Sequence, residues 1–333
     1  MTVLKVLHTA DQHFSNKADK LSEVITTTNS LLERARIERP DVAVLAGDLV
    51  DEHDGPIRID SEAARAAIRF VTELGHICPV VIVRGTRSHD RETPYLFRHI
   101  RTTYPVHVST EIELVAMLDD NSFVLLDEDT PVDACKAVFT LLPSPDKANL
   151  LAVFGSDSIT SCTIGAKETL CDALAYLGGV NAQIPENIPR ILVAHGMITG
   201  AEYSSGSTAT GEDFEYSVAD LIETNTDVKC FGHVHKHQTF AGNIFYSGST
   251  GRLNMGETEI KGFLIHSLEG QKLIETSFIE TPARRFVLYD VPWCDDGVDN
   301  ILSKADECGA ECNGADVRFR YTIPEENRHQ INR

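Results

Sequence analysis

The sequence predicts a layered α/β protein, and three observations predict it. Short apolar runs alternate with amphipathic stretches in the order β-α-β-α-β over residues 3–90. The runs are apolar throughout, without polar alternation, as in strands buried on both faces. Each run then breaks off into polar, chemically capable side chains, as strands do when they deliver residues to one edge of a sheet.

The first strand is read in "VLKVLHTADQH". Residues 20–38 ("KLSEVITTTNSLLERARIE") have helical spacing through Leu21, Val24, Ile25, Leu31, Leu32 and Ala35. "PDVAVLAGDLVD" is a second strand that stops at Gly47, residues 61–75 a second helix, and "CPVVIVRGTRSHD" a third strand. Further strands are expected at 123–127, 137–142, 191–195, 228–231 and 244–247, and a helix at 166–178. The small polar stretch 204–213 ("SSGSTATGED") reads as a surface loop. From residue 281 the texture changes: "PARRFVLYDVPW" and "DVRFRYTIP" alternate around 305–314, as at the start of a small α+β domain. The division expected is therefore 1–280 and 281–333. The pattern stops mid-element at "NRHQINR", so a longer protein is expected.

The bulk numbers narrow the class. A chain of 333 residues with 42% hydrophobic and 24% charged content is globular, and no run is long enough to span a membrane. The N-terminus has no signal-peptide pattern, so a cytoplasmic location is expected. Eight cysteines are scattered through mainly apolar segments and read as free thiols. Only Cys308 and Cys312 lie close together, without a second pair at zinc-ribbon spacing. The net charge of −20 opposes binding of a polyanion by simple attraction, so any nucleic-acid role calls for bound cations or a basic partner.

Five strand ends carry metal-type side chains. "TADQHF" offers Asp11 and His13, two apart and so on one side of an extended backbone. "LAGDLVD" offers Asp48, "VRGTRSHD" offers Ser88, His89 and Asp90, "LVAHG" offers His195, and "FGHVHKH" offers His233 and His235. Taken singly, a His-x-His is more often a solvated strand edge. Five such segments, each closing an apolar run, are hard to produce by accident. Mixed imidazoles and carboxylates suit manganese, iron or zinc better than calcium, and a metal pair needs one bridging carboxylate with ligands on either side.

The order D-x-H, GD, HD, H, GHxH resembles that of the calcineurin-like metallophosphoesterases. Within that superfamily the chain looks most like the SbcD-type nuclease subunits of double-strand-break repair, on "TADQH", "LAGDLVD", "GHVH" followed by "YSGS", and "ETPARRF". The resemblance covers roughly residues 3–290. It implies a β-sandwich flanked by helices, with two Mn²⁺ ions as cofactor (Mg²⁺, Fe²⁺ or Zn²⁺ being able to serve). It further implies that Asp11, His13 and His235 hold one ion, that Asp48 bridges, and that His195 and His233 hold the other, with Ser88 in the place of the family's asparagine. His89 would aid the leaving oxygen, Asp90 would orient His89, and His237 would stay on the solvated edge. Relatives often carry histidine where this chain has Asp51, with His53 two residues on.

Arg84, Arg87, Arg91 and Arg252 flank these motifs and are candidate phosphate contacts. The resemblance implies DNA and an SbcC-type coiled-coil ATPase as partners, and a homodimer through residues 61–75 and 94–103. Three functions stay open at the level of sequence: a manganese-dependent DNA nuclease subunit, a phosphoesterase acting on nucleotides or phosphoproteins, and a scaffold that binds DNA or the ATPase without turnover.

Overall fold

Strand β1 (Val3–Thr9) leads through α1 (Ala18–Glu38) to β2 (Val42–Ala46), then through α2 (Glu62–Gly75) to β3 (Val80–Val83) and, past a 3₁₀ segment at Thr93–His99, to β4 (Val106–Ser109). This is the alternation the sequence predicts. The computed structural model describes residues 3–53, 55–145, 159–204 and 215–292, with short stretches between 303 and 325. Most of the expected loop 204–213, the chain terminus, and Cys294 and Cys308 lie outside the described residues.

The remaining strands are β5 (Glu113–Leu118), β6 (Phe123–Leu125), β7 (Cys135–Leu142), β8 (Arg190–His195), β9 (Met197–Ile198), β10 (Glu215–Tyr216), β11 (Val228–Gly232), β12 (Gln238–Phe240), β13 (Ile244–Tyr246), β14 (Gly262–Glu269) and β15 (Lys272–Glu280). Helices α3 (Ile159–Asn181) and α4 (Val218–Glu223) interrupt them. The strands form a six-stranded sheet, β15-β14-β1-β2-β3-β4, and a seven-stranded sheet, β12-β13-β11-β8-β7-β5-β6.

The two sheets pack face to face. Val6, Val44, Val81 and Val83 of the first meet Met117, Phe139, Val193 and Cys230 of the second. Alternate residues of the first sheet, among them Leu7, Leu45 and Ile82, pack outward on Leu31, Phe70 and Leu74 of α1 and α2. Leu192 and Phe231 of the second sheet do the same with Leu174 and Leu221 of α3 and α4. The unbroken apolar runs are thus explained differently from a sheet with helices on both faces: one face meets helices and the other meets the second sheet. The structure is the helix-flanked sandwich that the resemblance implies.

Helix α1 shows how local chemistry serves this layering. Its buried face is Leu21, Val24, Thr27, Thr28, Leu31, Leu32 and Ala35, while Ile25 points outward. Thr27 and Thr28 are buried because their hydroxyls donate to the carbonyls of Glu23 and Val24, which satisfies them inside the helix. The helix stops at Arg39 in a left-handed conformation, just before Pro40. At the N-terminus of α2, the Ser61 hydroxyl accepts from the N–H of Ala64 at 3.1 Å.

Buried between the sheets is a chain of imidazoles. His8 Nε2 donates to the carbonyl of Phe231 at 3.1 Å, so His8 Nδ1 accepts from His266 Nε2 at 3.2 Å. His266 Nδ1 then accepts from the Thr276 hydroxyl at 2.9 Å. Both rings are neutral, and burial holds His8 down at about 3.

Several segments depart from the sequence reading. Strands β4 and β5 form where it assigns no element. Residues 262–280, to which no element is assigned from sequence, form the antiparallel pair β14–β15 that extends the first sheet beside β1. Beyond residue 281, β16 (Arg285–Pro292) and β17 (Ala315–Thr322) pair in parallel as a separate two-stranded sheet.

Candidate metal centre

All the candidate ligands leave the C-terminal ends of parallel strands, three in the first sheet and two in the second. β1 runs on to Asp11 and His13, β2 to Asp48, β3 to His89, β8 ends in His195, and β11 runs on to His233 and His235. β8 and β11 are neighbours in parallel register, with His195 opposite Gly232. The backbone is bent to suit. Asp11, His13, Asp48 and His233 all have positive φ (54°, 54°, 51° and 105°), unfavourable for residues with side chains and characteristic of functional positions. Gly47 lies at φ 85°, and a Cβ there would strike the ring of His195.

Two donor groups result. Asp11, His13 and His235 bring ligand atoms within 4.8 Å of one another, as do Asp48, His195 and His233. Asp48 lies between them: its Oδ2 is 3.9 Å from His13 Nε2 and 3.3 Å from His195 Nε2. The turn after Gly232 therefore lets His233 and His235 serve different groups, although they are two residues apart.

The hydrogen bonds aim these rings. His195 Nδ1 donates to the carbonyl of Ala46 at 2.7 Å, which leaves its buried Nε2 without a hydrogen-bond partner and facing Asp48. His235 Nδ1 lies 3.0 Å from Glu257 Oε1, and its Nε2 meets His13 Nε2 at 3.0 Å. The backbone N–H of His233 donates to Asp11 Oδ1 at 2.9 Å. Bare ring nitrogens converging on buried carboxylates are what a pair of divalent cations requires, so the residues fit that group.

The electrostatics describe the same pocket. Burial and the charge of Asp48 push Asp11 up to about 6, against the imidazoles of His235 and His195. Burial and His235 hold His13 down at about 3. Burial alone would raise Asp48, but His195, His13 and His89 outweigh it and hold its carboxyl well below the usual range. Asp48 in turn carries His195 up to about 9 against burial.

Three expectations need correction. Ser88 is exposed, and its hydroxyl donates to Thr86 rather than approaching either donor group. Thr86 takes the place beside the shared carboxylate, donating to Asp48 Oδ1 from its N–H at 2.6 Å and from its hydroxyl at 3.0 Å. Asp90 does not orient His89: its carboxylate accepts the backbone N–H groups of Asp48, Val50 and Gly85 at 3.0, 3.1 and 2.6 Å, pinning two turns together. Asp51 orients His89 instead, with Oδ1 3.1 Å from its Nδ1, and Lys20 Nζ stands 3.4 Å from the other oxygen. Arg252 is drawn away from the site, its guanidinium donating to the carbonyls of Arg284 and Glu259 at 2.8 and 2.6 Å.

The other arginines differ in placement. Arg84 is buried, with its Nε lacking a hydrogen-bond partner, Arg87 is exposed, and Arg91 is exposed with Nη2 on the carbonyl of Glu52. His53 is exposed with its ring 5.9 Å from His89, and His237 donates to the carbonyl of Tyr246 at 2.7 Å. His13, Asp48 and His89 also bring ligand atoms within 4.8 Å of one another, so His89 stands beside the shared carboxylate; a separate cluster, His8, Cys230 and His266, has both imidazoles already committed to the neutral chain described above.

The calcineurin-like phosphoesterase family model matches residues 4–237, which include every residue of both donor groups. The chain belongs to the calcineurin-like phosphoesterase family. Among curated relatives, the SbcD component of the SbcCD nuclease of Staphylococcus saprophyticus is 23% identical over 293 residues, covering 85% of this chain and 70% of that protein. The putative phosphoesterase 244L of Invertebrate iridescent virus 6 is 22% identical over 263 residues, covering 78% and 75%. Among solved structures, GAP50, the anchor in the inner membrane complex of Plasmodium, aligns over 98% of this chain and 99% of its own with a TM-score of 0.50 at 15% identity, a likeness of fold. Among the described residues, no helix is long and apolar enough to cross a membrane.

Proposed function

We propose that this calcineurin-like phosphoesterase is a DNA nuclease subunit that hydrolyses phosphodiester bonds at DNA ends with two manganese ions. The observation that carries the hydrolytic part is the pair of His/Asp donor groups meeting at Asp48. The similarity to the staphylococcal SbcD protein, across most of both chains, supports DNA as the substrate.

In this reading Asp11, His13 and His235 would hold one ion, His195 and His233 the other, and Asp48 would serve both. The chemistry such a pair would supply when bound is charge neutralisation on the phosphodiester and activation of water near neutral pH. The protein's own groups do the rest. His89, its Nδ1 proton committed to Asp51, presents Nε2 to the substrate and stabilises or protonates the departing sugar oxygen. Arg84, Arg87 and Arg91 stand around the same turn as local positive charge in a chain of net charge −20. Residues 281–333 begin a small capping module. The partners that go with this reading are DNA, an SbcC-type coiled-coil ATPase and a second copy of the chain packed through α2 and the 3₁₀ segment, in the cytoplasm or on the nucleoid.

The strong negative charge favours a second reading, a phosphoesterase acting on short nucleotides or phosphoproteins. End-labelled linear DNA and cyclic or linear nucleotides, each assayed with Mn²⁺, separate the two. Degradation of DNA that disappears in His89→Ala supports the nuclease; rapid turnover of nucleotides with none on DNA replaces it with the second reading.

A further inference from the structure

Residues 247–261 connect β13 to β14, and the second half of this strap carries Glu257, only 3% exposed and in contact with the ring of His235. Four groups donate to this one carboxylate. Oε1 takes His235 Nδ1 at 3.0 Å and Asn254 Nδ2 at 3.1 Å. Oε2 takes the backbone N–H of Leu253 at 3.2 Å and Lys261 Nζ at 2.8 Å. Lys261 is equally buried, and it binds Glu259 at 2.6 Å and donates to the carbonyl of His235 at 2.9 Å. One His residue is thus held at both ends, its ring by Glu257 and its backbone by Lys261.

Packing alone does not call for this arrangement. Burying an ion pair costs desolvation that an apolar side chain of the same size avoids, so such a pair is weak evidence of a purely stabilising role. It does supply direction. A carboxylate can only accept, so the bond to Glu257 requires the proton on His235 Nδ1 and leaves Nε2 as a lone pair. That lone pair points into the group formed with Asp11 and His13. The other donor group solves the same problem with backbone, through His195 Nδ1 and the carbonyl of Ala46.

We propose that Glu257, anchored by Lys261, is a positioning residue that fixes the tautomer and orientation of His235 and thereby tunes one of the two ion sites and not the other. The inference rests on the dinuclear reading above. It touches no substrate and acts only through His235.

Two readouts test it on the full chain stripped of metal. Titration calorimetry with Mn²⁺ should show two binding events in the unmodified protein. In Glu257→Gln one event should weaken about 10- to 100-fold, the range typical of partners that orient metal-ligating histidines, with the other unchanged. Imidazole ¹⁵N shifts of the metal-free protein should show His235 as the Nδ1–H tautomer, and as a mixture in the variant. Glu257→Asp keeps the charge but stops a methylene short of the ring, should give the same selective loss, and is read if the first variant does not fold. Both events at unmodified affinity with an unchanged tautomer, equal weakening of both events, or failure of both variants to fold would each overturn the proposal. An unmodified protein that takes up no ion pair would instead defeat the dinuclear reading, and the tautomer comparison would still judge Glu257.

Discussion

Asp51 Oδ1 and His89 Nδ1 lie 3.1 Å apart, and this carboxylate, not that of the adjoining Asp90, sets the direction of the ring. Burial works against a proton on His89. The hydrogen bond to Asp51, with the charges of Asp48, Asp51 and Asp90, outweighs it and raises the imidazole above its ordinary value. Asp90, which reaches the ring only through its field, is itself pushed up to about 7 by burial and by Asp48.

The two carboxylates therefore fail differently when made neutral. Asp51→Asn should leave the fold and manganese uptake intact and lower phosphodiester turnover about 10- to 100-fold, because an amide can donate as well as accept and carries no charge, so it no longer holds the proton on Nδ1. Asp90→Asn should instead destabilise the chain by about 2–3 kcal/mol, because an amide cannot accept all three backbone N–H groups and leaves a buried donor unmet. Steady-state kinetics beside thermal melts distinguish them. Equal losses of activity and of stability in both variants would contradict the division of labour.

Much of this centre is legible in the sequence because its candidate ligands are local punctuation. Asp11, Asp48, His195 and His233 each close an apolar run, and a strand in a layered sheet delivers its end to the common edge. What is not legible depends on contacts that no spacing records. Thr86 and Ser88 are both hydroxyls in the turn "GTRSHD", and only the fold decides which one meets Asp48. Asp51 and Asp90 are both carboxylates near His89, and the choice depends on which of them the backbone N–H groups of the adjoining turns claim. Glu257 lies 22 residues beyond His235 in a strap of mixed residues and does not close an apolar run, so nothing local marks it. The second sheet hides for a related reason: a strand covered by a sheet and one covered by a helix present the same apolar run.

Thr86 at Asp48 also bears on the second ion. A hydroxyl that donates to the shared carboxylate is a poorer metal ligand than the amide carbonyl that the resemblance expects in this turn, at Ser88. Thr86→Asn should accordingly tighten the weaker Mn²⁺ event several-fold in calorimetry. Ser88→Ala should leave both events as they are, since the Ser88 hydroxyl donates to that of Thr86 and is exposed. Weakening in Ser88→Ala with none of the gain in Thr86→Asn would restore Ser88 to the metal-binding role expected from sequence.

The imidazole chain between the sheets makes stability depend on pH. His8 titrates near 6.5 when exposed and at about 3 when folded, because burial disfavours its charged form. Between those values the unfolded chain binds a proton that the folded chain refuses, so the contribution is complete above 6.5 and is lost as pH falls toward 3. Asp11 and Asp90, both raised by burial, carry the opposite slope, so the comparison has to be made against a chain that differs only at residue 8. Urea unfolding in chelator, at about pH 7.5 and about pH 5, should show the unmodified protein losing about 2 kcal/mol more than His8→Gln over that interval. His266 is held well below its ordinary value by burial and by His8, so replacing His8 also relieves part of that second constraint. Identical pH dependence in the two proteins would mean that the folded chain accepts a proton at His8, with His266 changing tautomer to receive it and donating in turn to Thr276.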